Sequence, residues 1–185
     1  MLRLLLLIPL LVVAAETKDI KSGETHYLSE DIKSDETHYL PVDWVNQIIA
    51  FKGTPSYLYA ATYFGVYKSK DNAVTWQTEN DGLESLLINA LLITDYRLYA
   101  ATDEGVFTKK IDSSLWEKVG SDNLVYSLAN LGTTVYAGTI DRIWRSRDYG
   151  KSWELAKEGV GAILSIVATG GCILAVSYEK GVFVS

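Results

Sequence analysis

Ser146, Asp148, Gly150, Ser152 and Trp153 stand in one octapeptide, and Ser69, Asp71, Thr75 and Trp76 hold the same positions in another. A carboxylate flanked by two hydroxyl residues could serve as a catalytic acid or as an acceptor inside a tight turn. The second use fits the neighbours. Asp accepts backbone N–H bonds in turns, Gly150 supplies a position free to take positive φ, and the closing tryptophan carries a large apolar surface for burial between sheets. Asp71 and Asp148 therefore read as turn residues, not catalytic acids. A third copy at 109–116 keeps only Trp116, with Ile111 in place of the acid, and predicts a looser turn.

The remaining reactive groups are few. Four arginines lie beyond residue 15: Arg97, Arg142, Arg145 and Arg147. The last three share one predicted strand, and Arg145 and Arg147 align with Lys68 and Lys70, which reads as a solvated outer face. His26 and His38 sit in a tandem duplication, DIKSGETHYL followed by DIKSDETHYL. Pairing them with Glu24 and Glu36 as metal ligands is one reading; a duplicated, solvated linker that carries its histidines passively is the preferred one. The lone Cys172 rules out an internal disulfide framework or a Cys-rich zinc site, and it reads as a small buried residue. No Ser-His-Asp set can be assembled with both histidines in the tail, and nothing selects one acid–base pair among the carboxylates. No catalytic residue, metal or cofactor is expected.

The elements that carry these groups are repeats. Leu58-Tyr59-Ala60-Ala61-Thr62 recurs as Leu98-Tyr99-Ala100-Ala101-Thr102, as Val135-Tyr136-Ala137-Gly138-Thr139 and, more weakly, as Ile173-Leu174-Ala175-Val176-Ser177. The spacings are 40, 37 and 38 residues, and Trp76, Trp116 and Trp153 keep the same 40 and 37. An apolar stretch precedes each pentapeptide, at 45–51, 88–93, 125–131 and 163–168. Each unit reads as four short strands, and a period near 40 with four strands is the pattern of a β-propeller blade. A helical repeat would need apolar residues at three-to-four spacing and would not tolerate this density of Tyr, Val, Thr and Gly.

Residues 146–153 match the Asp-box, Ser/Thr-x-Asp-x-Gly-x-Thr/Ser-Trp, at every defined position. Residues 69–76 match it except that Ala73 replaces Gly. Over 44–185 the chain resembles the Asp-box (BNR-repeat) propellers, a group that includes sialidases, xyloglucan-active glycosidases, sortilin-type receptors, photosystem assembly factors and exported bacterial proteins. The resemblance implies an all-β fold of four-stranded antiparallel blades. Three blades are full, near 44–80, 86–119 and 124–157, and a partial fourth spans 162–185. Sialidase chemistry, as the resemblance implies it, needs three arginines drawn from several blades; here three crowd one strand, and no Arg-Ile-Pro motif occurs. The xyloglucan-active relatives place two carboxylates across a cleft between two whole propellers, which 185 residues cannot build.

The fourth unit reaches Ser185, the equivalent of Ser69, without its box. Three arrangements follow from this reading: residues 37–42 supply the missing strand, the chain is part of a longer propeller, or two chains associate into a larger ring. Propeller topology gathers the loops between second and third strands, and those between blades, on one face. That candidate ligand face holds Tyr63, Phe64, Asp103, Glu104, Asp141, Arg142 and Tyr178, and the between-blade loops add Asp81, Glu84, Asp122 and Glu158. An acidic rim with aromatic stacking groups suits a basic or cation-bridged partner, or a sugar ring.

Composition agrees with this reading. Of 185 residues 48% are hydrophobic and 22% charged, with 17 basic against 23 acidic groups. The net charge of -6 excludes the basic excess that nucleic-acid or anionic-membrane binding requires. Residues 1–15 have a basic start, an apolar run and a small-residue exit, the form of a secretory signal peptide; residues 16–43 form a polar linker. The expected product is periplasmic or extracellular and free of the membrane once the signal is cleaved. The expected function is a non-enzymatic binding or scaffold module with a protein or glycan partner. The alternatives are a truncated or degenerate fragment of a larger glycan-active propeller enzyme, and the extracellular propeller of a signalling system.

Overall fold

The computed structural model describes residues 45–51, 57–120 and 123–185. The expected signal peptide, the linker with His26 and His38, the strand at 37–42 and the loop position Asp122 lie outside the described residues.

The first sheet runs β1 (Val45–Phe51), β2 (Tyr57–Thr62), β3 (Gly65–Ser69) and β4 (Gln77–Thr78). The second runs β5 (Ile88–Ile93), β6 (Arg97–Thr102), β7 (Gly105–Lys110) and β8 (Glu117–Lys118). The third comprises β9 (Val125–Leu131), β10 (Thr134–Thr139), β11 (Arg142–Ser146) and β12 (Glu154–Glu158). The fourth has three strands, β13 (Ile163–Thr169), β14 (Cys172–Ser177) and β15 (Gly181–Val184). Every sheet is an antiparallel meander in chain order, as short hairpin connections require. The three full units and the partial fourth expected from the repeat are thus present.

The first strands lie against one another in sequence order, β1 on β5, β5 on β9 and β9 on β13. A repeated bulge helps hold them. In each sheet the pairing of the first two strands slips by one residue near the start of the first strand, leaving Asn46, Asn89, Tyr126 and Leu164 as the extra residues. A bulge re-aims its extra side chain. The Asn46 Nδ2 donates to the Ile88 carbonyl at 2.8 Å and the Asn89 Nδ2 to the Val125 carbonyl at 2.9 Å, each in the next sheet.

Between sheets the core follows the strand alternation of two residues. Each sheet turns a leading face toward the next sheet and a trailing face toward the one before. Tyr59, Ala61 and Val66 on the first leading face pack with Ile88, Leu91, Leu98, Ala100, Phe107 and Trp116 of the second sheet. Tyr99, Ala101 and Val106 pack in the same way with Val125, Leu128, Val135 and Ala137. Ile143 then meets Ile163, Ile166, Ile173 and Ala175. The small residues of each second strand explain the closeness: Ala60, Ala61, Ala100 and Ala101 are fully buried. A side chain at Gly138 would meet Ile163 at 2.6 Å.

Candidate functional site

The two octapeptides form the same turn. Asp148 Oδ1 accepts the Ser152 backbone N–H at 2.9 Å and the Ser146 hydroxyl at 2.8 Å, while its Oδ2 accepts the Ser152 hydroxyl at 2.6 Å. Asp71 repeats this with Thr75 N–H at 2.8 Å, Ser69 hydroxyl at 2.8 Å and Thr75 hydroxyl at 2.5 Å. The buried serine hydroxyl also accepts two backbone N–H groups, that of Gly150 or Ala73 at 2.8 Å and that of the aspartate itself at 3.4 Å. Hydrogen bonds to the ionised form favour it. The Thr75 and Ser152 bonds foremost hold the Asp71 and Asp148 carboxyls down at about 2. A carboxylate held ionised in this way is a poor proton donor near neutral pH. Gly150 has φ +92° and Ala73, its counterpart, φ +70°.

Where the motif is lost, the turn is rebuilt rather than loosened, a correction to the sequence expectation. Lys109 takes the serine position, and its Nζ donates to the Ser113 carbonyl at 2.6 Å. Ile111 takes the aspartate position and is buried in the core beside Trp116. The same Lys109 Nζ lies 2.8 Å from Glu79 of the first sheet, whose other carboxylate oxygen is 3.2 Å from Lys68 Nζ. The Lys109 side chain is wholly buried; desolvation pulls its pKa down, with Glu79 opposing. Burial foremost raises the Tyr59 hydroxyl pKa, and both ammonium groups lie within 6 Å of that ring. Lys68 is therefore no solvated outer-face residue: its side chain is 11% exposed and its ammonium stands 4.0 Å from the Tyr57 ring centroid. Arg147 does face solvent and, with Arg145, pairs with Glu154.

At the opposite ends of the strands stand the turns between second and third strands. A hydroxyl residue that sequence reasoning passed over shapes each of them. Thr62, Thr102, Thr139 and Ser177 are buried at the end of the second strand. Thr62 accepts from Phe64 N–H at 2.9 Å and donates to the Gly65 carbonyl at 2.8 Å; Thr102 does the same with Glu104 and Gly105. The recurrent Thr at the end of each pentapeptide was the available signal. These turns leave Tyr63, Phe64, Ile140 and Tyr178 exposed, and Glu104 and Arg142 are exposed as well.

Three of the rim acids are engaged in holding loops. Asp141, at φ +62°, accepts the Gly161 N–H on Oδ1 at 2.9 Å and the Gly159 N–H on its carbonyl at 3.0 Å. Asp103 accepts the Ser85 hydroxyl. Glu84 pairs with Lys118 at 3.0 Å. The rim offers an incoming group fewer free carboxylate acceptors than its composition suggests, and one of its charges is already paired.

Between the second and third sheets lies a cavity of about 350 Å³ lined by Val106, Gly120, Val125, Ala137, Thr139, Trp144 and Trp153. At the neighbouring boundaries Leu83, from the loop between the first two sheets, packs against their core, and Val160 is buried in the core between the last two. Arg142 stands 5.9 Å from the Trp144 ring centroid. The cavity sits under the Asp103-Glu104 and Ile140-Asp141 turns, because Val106 and Thr139 belong to the strands those turns connect. Cys172 is half-buried. Among the described residues no three of His, Cys, Asp and Glu cluster as a metal site would require.

No family model matches the chain, and no curated protein matches it. Solved structures do. The extracellular domain of a putative hybrid two-component system from B. thetaiotaomicron is 18% identical with a TM-score of 0.62, over 80% of this chain and 21% of that one. An ancestral GH74 enzyme is 18% identical with a TM-score of 0.63, over 77% of this chain and 22% of its own. The computationally designed Ika4 protein is 14% identical with a TM-score of 0.58, over 84% and 94%. The chain spans about a fifth of the length of the first two. Fold and likeness together define the class: an all-β propeller of antiparallel blades.

Proposed function

We propose that this chain is an exported, non-enzymatic binding module of the Asp-box (BNR-repeat) type, which holds a glycan through aromatic groups on its loop face. The observation that carries the reading is a division between the two ends of the blades. The boxed carboxylates, Asp71 and Asp148, are fully engaged in turn formation at one end. Exposed Tyr63, Phe64 and Tyr178 belong to the other, and the cavity beneath the neighbouring turns is lined by Trp144 and by Trp153, which reaches it from the box. Flat apolar rings beside a few polar groups suit the faces of sugar rings. The full and near-full boxes in residues 146–153 and 69–76 support the family reading. The form of residues 1–15 and the likeness to an extracellular domain support export. A protein partner on the same face, and a role as one piece of a glycan-active propeller enzyme, remain the competing readings. The second draws on the likeness to the GH74 enzyme.

The test is a glycan array followed by calorimetry on the oligosaccharides retained. Tyr63→Ala with Phe64→Ala should weaken binding at least tenfold while the thermal transition stays cooperative. Binding unchanged by the double substitution, or hydrolysis of the retained oligosaccharide, would overturn the reading.

A further inference from the structure

The repeat supplies its own measure of how well each boundary is filled. Phe107 and Trp144 hold one position in their sheets, each paired with the alanine at the third place of the second-strand pentapeptide. Trp116 and Trp153 hold another, at the end of the octapeptide. Against the first sheet Phe107 and Trp116 are sealed, at 0% and 2% exposed. Against the second sheet Trp144 and Trp153 are only half-buried, and both line the cavity of about 350 Å³. A space of that size, walled by two indoles, two valines and an alanine, admits a single aromatic ring and offers it apolar surface.

The charge beside the cavity is set by which way its neighbours lean. Asp103 accepts from Ser85, in the loop between the first and second sheets. Asp141 Oδ1 accepts from Gly161, in the loop between the third and fourth. Both acids are thus drawn toward boundaries other than the one that holds the cavity. Arg142 stays beside it. The hydroxyl of Thr139, a lining residue, donates to the Arg142 carbonyl at 3.2 Å, and the guanidinium stands 5.9 Å from the Trp144 ring centroid. Arg142 is exposed. Unlike Arg97, Arg145 and Arg147, it has no ion pair among the described residues. Glu104, exposed in the turn of the second sheet, is the acid left to oppose an anion there. We infer that the cavity binds a small aromatic carboxylic acid, with its ring against the indoles and its carboxylate on Arg142. A guanidinium suits that group because its planar fork can donate two parallel N–H bonds to one carboxylate. The site does not use Tyr63 or Phe64, so it stands or falls apart from the glycan reading.

Calorimetry and indole fluorescence on the full chain test this, with phenylacetate as the acid and phenylacetamide as its uncharged counterpart. Phenylacetate should bind saturably with a Kd of about 1 mM or tighter and perturb the indole emission. Phenylacetamide should bind roughly tenfold more weakly, the worth of a charged hydrogen-bonded pair. Arg142→Gln, an exposed position, should bring phenylacetate down to the level of the amide and leave the amide unchanged. Glu104→Gln should tighten phenylacetate, and Tyr63→Ala with Phe64→Ala should leave it unaltered. Absence of saturable phenylacetate binding in the millimolar range overturns the inference. Equal affinity for acid and amide overturns it, because the guanidinium then plays no part. Phenylacetate binding that survives Arg142→Gln intact overturns it for the same reason. Loss of phenylacetate binding in the Tyr63 and Phe64 double variant overturns it too, since the acid would then lie on the exposed turn and not in the cavity.

Discussion

Trp153 donates its indole N–H to the Val119 carbonyl 2.6 Å away, across the boundary between the third and second sheets. Trp116 does the same to the Glu79 carbonyl at 2.7 Å, one sheet earlier. Trp116 and Trp153 therefore clamp two sheets together as well as filling the space between them. Trp153→Phe keeps most of the ring and removes the donor. A carbonyl left without its partner costs about 2 kcal/mol. Urea unfolding should show a loss of that order. A loss below roughly 0.5 kcal/mol would mean that water takes over the carbonyl at no net cost.

The Asp148 turn predicts a particular response to acid. Its carboxyl is held at about 2 in the fold against an ordinary value of 3.8. The stability it contributes is then present above 3.8 and disappears as pH falls through about 2. Asp148→Asn should lower the urea midpoint at neutral pH, and the gap to the unaltered protein should narrow between those two values. A gap that persists unchanged at pH 2 would assign the effect to lost geometry, not lost charge.

Ala73 and Gly150 occupy one place in the two turns, both at positive φ. An alanine held there is strained by about 1 kcal/mol relative to glycine. Ala73→Gly should therefore stabilise the protein by that order, offset in part by the unfolded-chain entropy that glycine adds. The reverse change, Gly150→Ala, should cost more than Ala73→Gly gains, because its new Cβ would meet the Val119 side chain at 2.8 Å. Thermal unfolding of both variants decides it, and equal and opposite shifts would remove Val119 from the explanation.

How much of this was legible in the sequence differs from feature to feature. The strands of each unit and the turn role of Asp71 and Asp148 follow from residues close together in the chain, so periodicity and local chemistry expose them. The Glu79 cluster does not. Its two lysines come from neighbouring sheets, and Lys109 stands where the motif has a serine, so it read as decay of a turn rather than as a new contact. The cavity was hidden for a different reason. Its lining, Val106, Val125, Ala137 and Trp153 among others, reads as ordinary core, and missing volume leaves no mark in residue type. The commitment of Asp103 and Asp141 to neighbouring loops was likewise invisible, since their partners, Ser85 and Gly161, are about twenty residues away along the chain.

Glu79 binds two cations from two sheets, so its neutralisation should exceed the cost of removing either partner. Breaking a buried pair by removing one member leaves a charge uncompensated, a loss of about 3 kcal/mol. Glu79→Gln should show it, because Lys109 is wholly buried. Lys109→Met should cost less, since it removes the buried charge itself and leaves Glu79 with Lys68. Burial already lowers the Lys109 pKa from 10.5. The fold therefore binds fewer protons than the unfolded chain as pH rises toward that value, and stability gains there. The Glu79→Gln deficit should accordingly shrink on the alkaline side. A deficit that grows with pH would place the charge elsewhere.

Val125 lines the cavity between the second and third sheets, while the residues that begin β5 and β13 are isoleucines, Ile88 and Ile163, both fully buried. Val125→Ile inserts into the third sheet the methylene its neighbours already use. If the cavity is free volume, the added group is buried without displacing anything and contributes about 0.8 kcal/mol. If the surrounding indoles are held rigidly against that direction, overpacking destabilises the protein instead by about 1 kcal/mol. Thermal unfolding separates the two by sign. The same variant bears on ligand recognition, because a sugar that enters beneath the Asp103-Glu104 turn loses room whereas one stacked on Tyr63 and Phe64 does not. Weakened binding in a stabilised Val125→Ile protein would place the ligand in the cavity; unchanged binding would leave it on the exposed aromatic turn of the first sheet.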